Sequence, residues 1–382
     1  MLAERTTIEQ RVLTALAATP PRIPVLIGGC GSGRTAMLHR LRERLGPGTE
    51  HVDVERIATT PEGFLASVTE STRCHLRKSL LPDTDSPSAR AAFDRVCNFF
   101  EHARNDDGTN VTFLLDEALD IRIFESFPGL RGALREFWCT LCESPNRFVL
   151  TTRFVARSLR LFRDAPERFE FVRIPPLTLA EATITLADFD LGNTNEARLE
   201  LSRVLHALTA GRPLYLQLLA HGTAALGRAD PVSALAAQLA PGAPLSMACR
   251  FSYELRLHRA RGHGALKGIL RILSMEEPLT LTEIARRLGR TPGSTKDYLS
   301  WLEDVDLIEV RQKHYRFADP MLRLWVDLHG RATPPDDDDL SRGARDYAAS
   351  RFPYTATPAP KTEPRTTDGP PRDRSWNMVE ID

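Results

Sequence analysis

Residues able to hold a phosphate come first. Gly28, Gly29, Gly31 and Gly33 crowd into one short stretch with Cys30 and Ser32 between them, and Arg34-Thr35-Ala36 follows directly. Glycines let backbone N–H groups curl around anionic oxygens with no Cβ in the way. The spacing G28-x-x-x-x-G33-R34-T35 is that of a phosphate-binding loop, with arginine where the pattern has lysine. Thr35 offers a hydroxyl to Mg²⁺. Arg34 keeps the positive charge for a γ-phosphate, but as a planar fork rather than a point. Asp116 and Glu117 form a second cluster. In-line phosphoryl transfer needs one group to hold the metal and one to orient or deprotonate the attacking water, and these two carboxylates suit those tasks in that order. A third candidate is Thr152 with Arg153, expected to sense the γ-phosphate or the attacking water. The chemistry implied is nucleotide binding with Mg²⁺, and Arg34 puts the hydrolytic step in question.

The elements around these residues fit that use. Ile23 to Ile27 is a short apolar run, and beyond the glycines Met37, Leu38 and Leu41 recur at helical spacing. Strand, glycine turn and helix aim a helix N-terminus at the same anion. Val111 to Leu115 is an apolar, largely β-forming run that delivers Asp116 and Glu117 at its C-terminal edge, where open α/β sheets bind ligands. Arg147 to Thr151 reads as another buried strand, whose end would lie between the other two. A helix over 5–18, with Ile8, Val12, Leu13 and Leu16 on one side, would pack beside a nucleotide base. Helices are expected over 61–80, 89–101 and 127–142, with a loop over 81–88. Arg168 is either an ordinary surface arginine or a finger for a neighbouring subunit's nucleotide.

Composition sets limits. The 382 residues hold 50 Lys+Arg against 50 Asp+Glu, so there is no global pull towards nucleic acid and DNA binding would need a local patch. Lys78, Lys267, Lys296, Lys313 and Lys361 are the only lysines, which points to codon bias and weakens the view of Arg34 as a purposeful choice. The start lacks a signal-peptide core and no run of 18 apolar residues occurs, so no membrane association is expected. Six cysteines are scattered, and Cys139 and Cys142 lack the second pair that a zinc site needs. A reduced, cytoplasmic protein is expected. Cys30 is a spectator in the loop, or makes nucleotide binding sensitive to thiol oxidation.

The chain divides into an α/β core over 1–175, a small all-helical lid over 176–250, a helical and β module over 262–330, and an acidic, Pro-rich tail over 331–382 expected to be disordered. In the tail, 342–351 could form a short helix and 376–382 a docking segment. The third unit reads helix (265–274), helix (281–288, with Thr280 or Thr282 as cap), turn, helix (293–302), then two strands at 307–310 and 315–317. That order is a winged helix-turn-helix. Arg286, Arg287, Arg290, Ser294, Thr295, Lys296, Tyr298, Arg311, Lys313 and His314 could meet DNA phosphates or a groove edge, through residues 286–314. Asp297, Glu303, Asp304 and Asp306 offset them, and such a module can instead dock protein or clamp the core.

Taken together, the loop at Gly28 to Thr35, the strand end at Leu114 to Glu117, the polar end at Thr151 to Arg153 and the exit Pro175-Pro176-Leu177-Thr178 carry a resemblance. So do Gly211-Arg212-Pro213-Leu214-Tyr215-Leu216 and the string from Tyr315 to Trp325. Over residues 1 to about 330 the chain resembles P-loop ATPases of the AAA+/STAND type, the archaeal-type ATPases above all, and more distantly the origin-recognition ATPases with their winged-helix tails. The resemblance implies ATP and Mg²⁺ as ligands, nucleotide contact from Arg212 and Pro213, and switching tied to oligomerisation, DNA transactions or defence. Lysine is missing at Arg34, and the helical lobe offers no sensor arginine beyond Arg212. The leading expectation is an ATP-driven switch with slow hydrolysis; the alternatives are a transcriptional regulator whose degenerate loop binds nucleotide without turnover or binds none, and an assembly scaffold. Arg34 folded back into its own cradle, together with no heat of Mg-ATP binding, would leave an architectural likeness alone.

Overall fold

A computed structural model of the chain describes residues 5–74, 88–162, 167–189, 191, 194–227, 230–258 and 262–352. Strands β1 (Ile23–Ile27), β2 (Thr49–Asp53), β3 (Thr112–Asp116), β4 (Arg147–Thr152) and β5 (Phe169–Arg173) form a parallel sheet in the order β2-β3-β4-β1-β5. Helices α1 (Thr6–Ala17), α2 (Arg34–Leu45), α3 (Val54–Ile57), α4 (Pro61–Ser71), α5 (Ala89–His102), α6 (Ala133–Glu143) and α7 (Val155–Leu161) cover it, with a 3-10 stretch at Ala118–Ser126.

Alternation along the strands sorts side chains to two faces. Leu26, Leu114, Val149 and Val172 meet Val12, Leu16, Met37, Leu38 and Leu41 of α1 and α2. Phe113, Leu115, Phe148 and Leu150 meet Phe64, Phe99, Phe100 and Phe137 on the other face. The Phe100 and Phe113 rings stand 5.0 Å apart, edge to face. Each fully buried ring contributes about 1.5–3 kcal/mol by transfer from water. Two-residue periodicity then carries Asp116, after Leu114, and Thr151, after Val149, to the α2 side, and sends Thr152, after Leu150, to the opposite side.

Beyond β5 come α8 (Leu179–Thr185), α9 (Asn195–Thr209), α10 (Pro213–Ala225), α11 (Pro231–Leu239) and α12 (Pro244–Leu257). A reciprocal Thr178–Glu181 capping box opens α8. The C-terminal module holds α13 (His263–Met275), β6 (Leu279–Thr280), α14 (Leu281–Leu288), α15 (Pro292–Asp304), β7 (Ile308–Arg311), β8 (His314–Phe317) and α16 (Pro320–His329). Its strands pair antiparallel in the order β6-β8-β7, and Thr280 rather than Thr282 caps α14. Residues of the helical lobe and of this module, from Leu177 to Ala348, share one apolar core.

The expectation of disorder from 331 onward is corrected for its first part, because α17 (Asp337–Arg351) is a helix. Asp336 caps it, accepting from the Asp339 N–H at 2.8 Å, and the acidic run sits where a helix N-terminus favours negative charge. Leu340, Ala344 and Ala348, four apart, are buried. Residues 353–382, the Pro-rich tail with its docking segment, lie outside the described residues, as do 75–80 of the helix expected over 61–80 and 81–87 of the loop after it. No single helix among the described residues is long and apolar enough to cross a membrane; α11 and α12, bent by 53°, reach that composition only as a pair.

Candidate nucleotide site

The loop leaves β1 at Ile27 and enters α2 at Arg34. Gly31 (φ 73°) and Gly33 (φ 89°) take left-handed conformations that other residues rarely adopt. A Cβ on Gly31 would also come within 2.9 Å of the Leu214 Cβ. The Leu214 N–H donates to the Gly31 carbonyl at 3.3 Å, so the start of α10 closes directly on the loop.

At the sheet edge Asp116, only 6 % exposed, is held between two hydroxyls. Thr35 Oγ1 donates to one carboxylate oxygen at 2.7 Å, and the Thr151 hydroxyl donates to the other. Thr151 in turn accepts from the Glu117 N–H at 3.0 Å. Glu117 itself sits at φ 54° just past β3, with its carboxylate between two buried arginines. Arg34 Nη2 lies 2.6 Å from one oxygen; the Arg153 N–H and Nε lie 3.0 and 3.1 Å from the other. Burial opposes the Arg153 charge, but the Glu117 and Glu55 carboxylates outweigh it and hold its pKa above the usual value. Arg34 is folded back: its Nη1 donates to the Gly28 carbonyl and, at 2.7 Å, to that of Gly29.

Thr152 points away from Asp116; its hydroxyl accepts from the Phe154 N–H and the Ser158 hydroxyl, each at 3.3 Å. Arg168 donates to the Pro21 carbonyl at 3.0 Å and to that of Cys142, within its own core. Arg212 approaches Gly29 and pairs with Asp319 at 3.3 Å. Burial would raise the Cys30 thiol pKa, yet the Arg256, Arg34 and Arg153 guanidiniums prevail and bring it below its ordinary value. Ser32, Gly33, Ala36 and Pro213 line a cavity of about 20 Å³ together with Arg5.

Sequence reading did not single out Arg5, Glu55, Arg256, Asp306 or Asp319 for the site. Asp319-Pro320 carries a local signal, an acid before a proline that opens a helix. The other four are brought in by tertiary contacts and had none.

The residues present fit a magnesium-bound nucleotide. A hydroxyl and a carboxylate 2.7 Å apart are the donor set for a magnesium that arrives on phosphate. Among the described residues, no group of three or more His, Cys, Asp or Glu could hold a metal ion. Three buried polar groups lack hydrogen-bond partners beside the loop: the Ser32 hydroxyl, the Arg34 Nε and both Nη of Arg5. Burial lowers the Arg5 pKa, with Glu181 acting against it. Unpartnered donors facing a loop of this shape suit an anion.

No family model and no curated protein matches the sequence. Solved structures do. A Walker-type ATPase of Pyrococcus abyssi superposes with a TM-score of 0.63 at 17% identity, over 85% of this chain and 96% of that one. The ORC1 protein of Aeropyrum pernix, solved with DNA, gives 0.43 at 17% identity over 92% and 93%. A STAND protein of Pyrococcus horikoshii with a tetratricopeptide repeat sensor gives 0.34 at 17% identity, over 92% of this chain and 46% of that one. The chain shares the fold of the Walker-type ATPase in the first of these superpositions.

Proposed function

We propose that the chain is an ATP-binding switch that couples nucleotide state at the loop to its C-terminal module, with hydrolysis slow. The observation that carries this reading is Arg212, one side chain that approaches Gly29 of the loop and pairs with Asp319 of the module. Thr35 and Asp116 would hold the magnesium, which when bound neutralises phosphate charge. Gly28 to Ala36 would cradle the phosphates, Arg34 would move from its carbonyls to the γ-phosphate, and Pro213 would flank the base with Arg5. The 20 Å³ cavity there holds about one water, so seating a base requires α10 to swing off the loop. Glu117 would orient water only once Arg34 and Arg153 release it.

The C-terminal module reads as a winged helix with α15 as its third helix. One end of α15 is turned to the core, where Asp304 pairs with Arg160 at 2.5 Å. We therefore assign it first as an internal clamp. DNA contact through the exposed Arg286, Arg290 and Lys296 is the second role.

Calorimetry with Mg-ATP and turnover of labelled ATP test the reading. Wild type and Glu117→Gln should bind, Glu117→Gln should not turn over, and Arg34→Lys should keep or raise turnover. Equal phosphate release by all three would sink the catalytic assignment. A second reading, a degenerate loop in a non-hydrolysing regulator, is favoured by Arg34 lying on its own carbonyls. Absence of heat with Mg-ATP would select it.

A further inference from the structure

A pocket of about 300 Å³ opens where the sheet domain, α12 and α15 meet. Arg153, Phe154 and Arg157 line it from the β4–α7 corner, Arg256 and His258 from the end of α12, and Trp301 from α15. Two of its arginines are committed elsewhere. Arg153 serves Glu117 and Glu55, and Arg256 donates to the Asp306 carbonyl at 2.7 Å. Arg157 is not committed. Its guanidinium lies 4.6 Å from the centroid of the Phe154 ring, and among the described residues no hydrogen bond or ion pair engages it. Burial pulls its pKa below the usual arginine value, aided by the Arg122 and Arg160 charges, while the Asp304 and Asp120 carboxylates work against that without pairing with it. Asp304 itself is paired with Arg160.

A half-buried guanidinium with no direct hydrogen-bond or ion-pair partner is costly, and an anion in contact with it is what relieves it. A guanidinium laid on an aromatic face presents a fixed fork of N–H donors that matches a carboxylate or a phosphate. Trp301, half-buried, adds a second aromatic wall, and no described residue accepts from its indole N–H. Glu55 and Asp120 also line the pocket, so one compact anionic group suits it and a polyphosphate does not. The volume is at the lower end for small-molecule sites, which favour domain junctions.

We propose that this pocket is a second ligand site, separate from the phosphate loop, for a small aromatic ring bearing a single phosphate or carboxylate, with its anion on Arg157 and its ring against Phe154 and Trp301. The ligand would tie α15 to the corner that carries Arg153, and so would bias whether Arg153 stays on Glu117. Binding itself does not depend on the loop binding ATP.

The test uses the full chain without nucleotide. 4-Nitrophenyl phosphate and 4-nitrobenzoate are titrated by calorimetry and by tryptophan quenching, with inorganic phosphate and 4-nitrobenzyl alcohol as probes that carry half the chemistry. At least one aromatic anion should bind saturably with a Kd below about 1 mM. Both half-probes should bind at least about tenfold more weakly, a difference of about 1.4 kcal/mol. Arg157→Met should weaken the aromatic anion by about tenfold or more, Arg157→Lys should restore only the part that charge alone supplies, and Trp301→Phe should abolish quenching while calorimetric binding persists. Saturating Mg-ATP should not displace the probe. No saturable binding of either aromatic anion overturns the proposal. So do equal binding by Arg157→Met, equal binding of inorganic phosphate, or displacement by Mg-ATP.

Discussion

Asp116 depends on two hydroxyls, and only one of them belongs to the loop. Thr151 is fully buried and supports both the Asp116 carboxylate and the Glu117 N–H. Thr151→Val keeps the shape but removes both bonds, which should cost about 1–3 kcal/mol of stability in urea unfolding. Thr152→Val removes hydroxyl contacts of 3.3 Å and should cost less. A larger loss in Thr152→Val would place the supporting residue on the other face of β4. The polar strand end was legible in the sequence, but which threonine faces Asp116 was not. Facing is set by the register of β4 against β3, a non-local pairing. The glycine loop, by contrast, is one local turn, and its setting between strand and helix could be read whole, apart from the path of Arg34. Cys30 gives a pH signature. Its folded thiol pKa is depressed, so between that value and the unfolded value of about 8.5 the unfolded chain binds more protons. Stability from this group therefore rises with pH across that window. The wild-type minus Cys30→Ser difference in urea midpoint should grow from pH 6.5 to 8.5, and a flat difference would count against the arginine cage. Taking a difference matters, because Cys97 and Cys142, each pushed up to about 11 by burial, act in the opposite sense at higher pH.

At the scale of elements, α7 lacks a cap of its own, since Phe154 offers no side-chain acceptor. Asp306, beyond α15, supplies it instead, accepting from the Val155 and Ala156 N–H groups at 2.5 and 3.1 Å. The helix that follows Arg153 is thus begun by the C-terminal module. Loss of such a cap costs about 0.5–2 kcal/mol. Asp306→Ala should speed hydrogen exchange at the start of α7 while leaving α2 unchanged, and Asp306→Asn should restore part of the protection. Unchanged exchange in Asp306→Ala would mean the contact contributes nothing to α7. Helices with their own caps were legible: Thr60, Thr178 and Thr280 each precede the run they start. The start of α7 has no such mark, because its acceptor arrives from a remote loop. A different cause hid the start of α17, expected only over 342–351: its acidic first turn has the composition of a linker, while its apolar stripe is only one residue in four.

For the whole molecule, the apolar cores define what moves together. The helical lobe and the C-terminal module share one core, while the sheet has its own on each face. If the loop takes a base, lobe and module would have to move as one body against the sheet, and the polar links across that division would decide how tightly the two sides are coupled. Asp319 lies wholly on the lobe-and-module side and bears on one of them through Arg212, which approaches Gly29. It is 1 % exposed, caps α16 through the Met321 and Leu322 N–H groups, accepts from the Tyr215 hydroxyl at 2.9 Å and pairs with Arg212. Asp319→Asn keeps an acceptor for the cap and discharges the pair, which frees Arg212 for the loop. If nucleotide and module communicate through this pair, the coupling free energy must fall when it is discharged. In wild type, Mg-ATP should slow hydrogen exchange both in the loop and across α13–α16. In Asp319→Asn the slowing should remain in the loop and disappear from the module, even if nucleotide affinity rises. Slowing that still reaches α13–α16 in the variant would show the shared core transmitting the signal without Arg212, and the link would then have to be sought at Asp306.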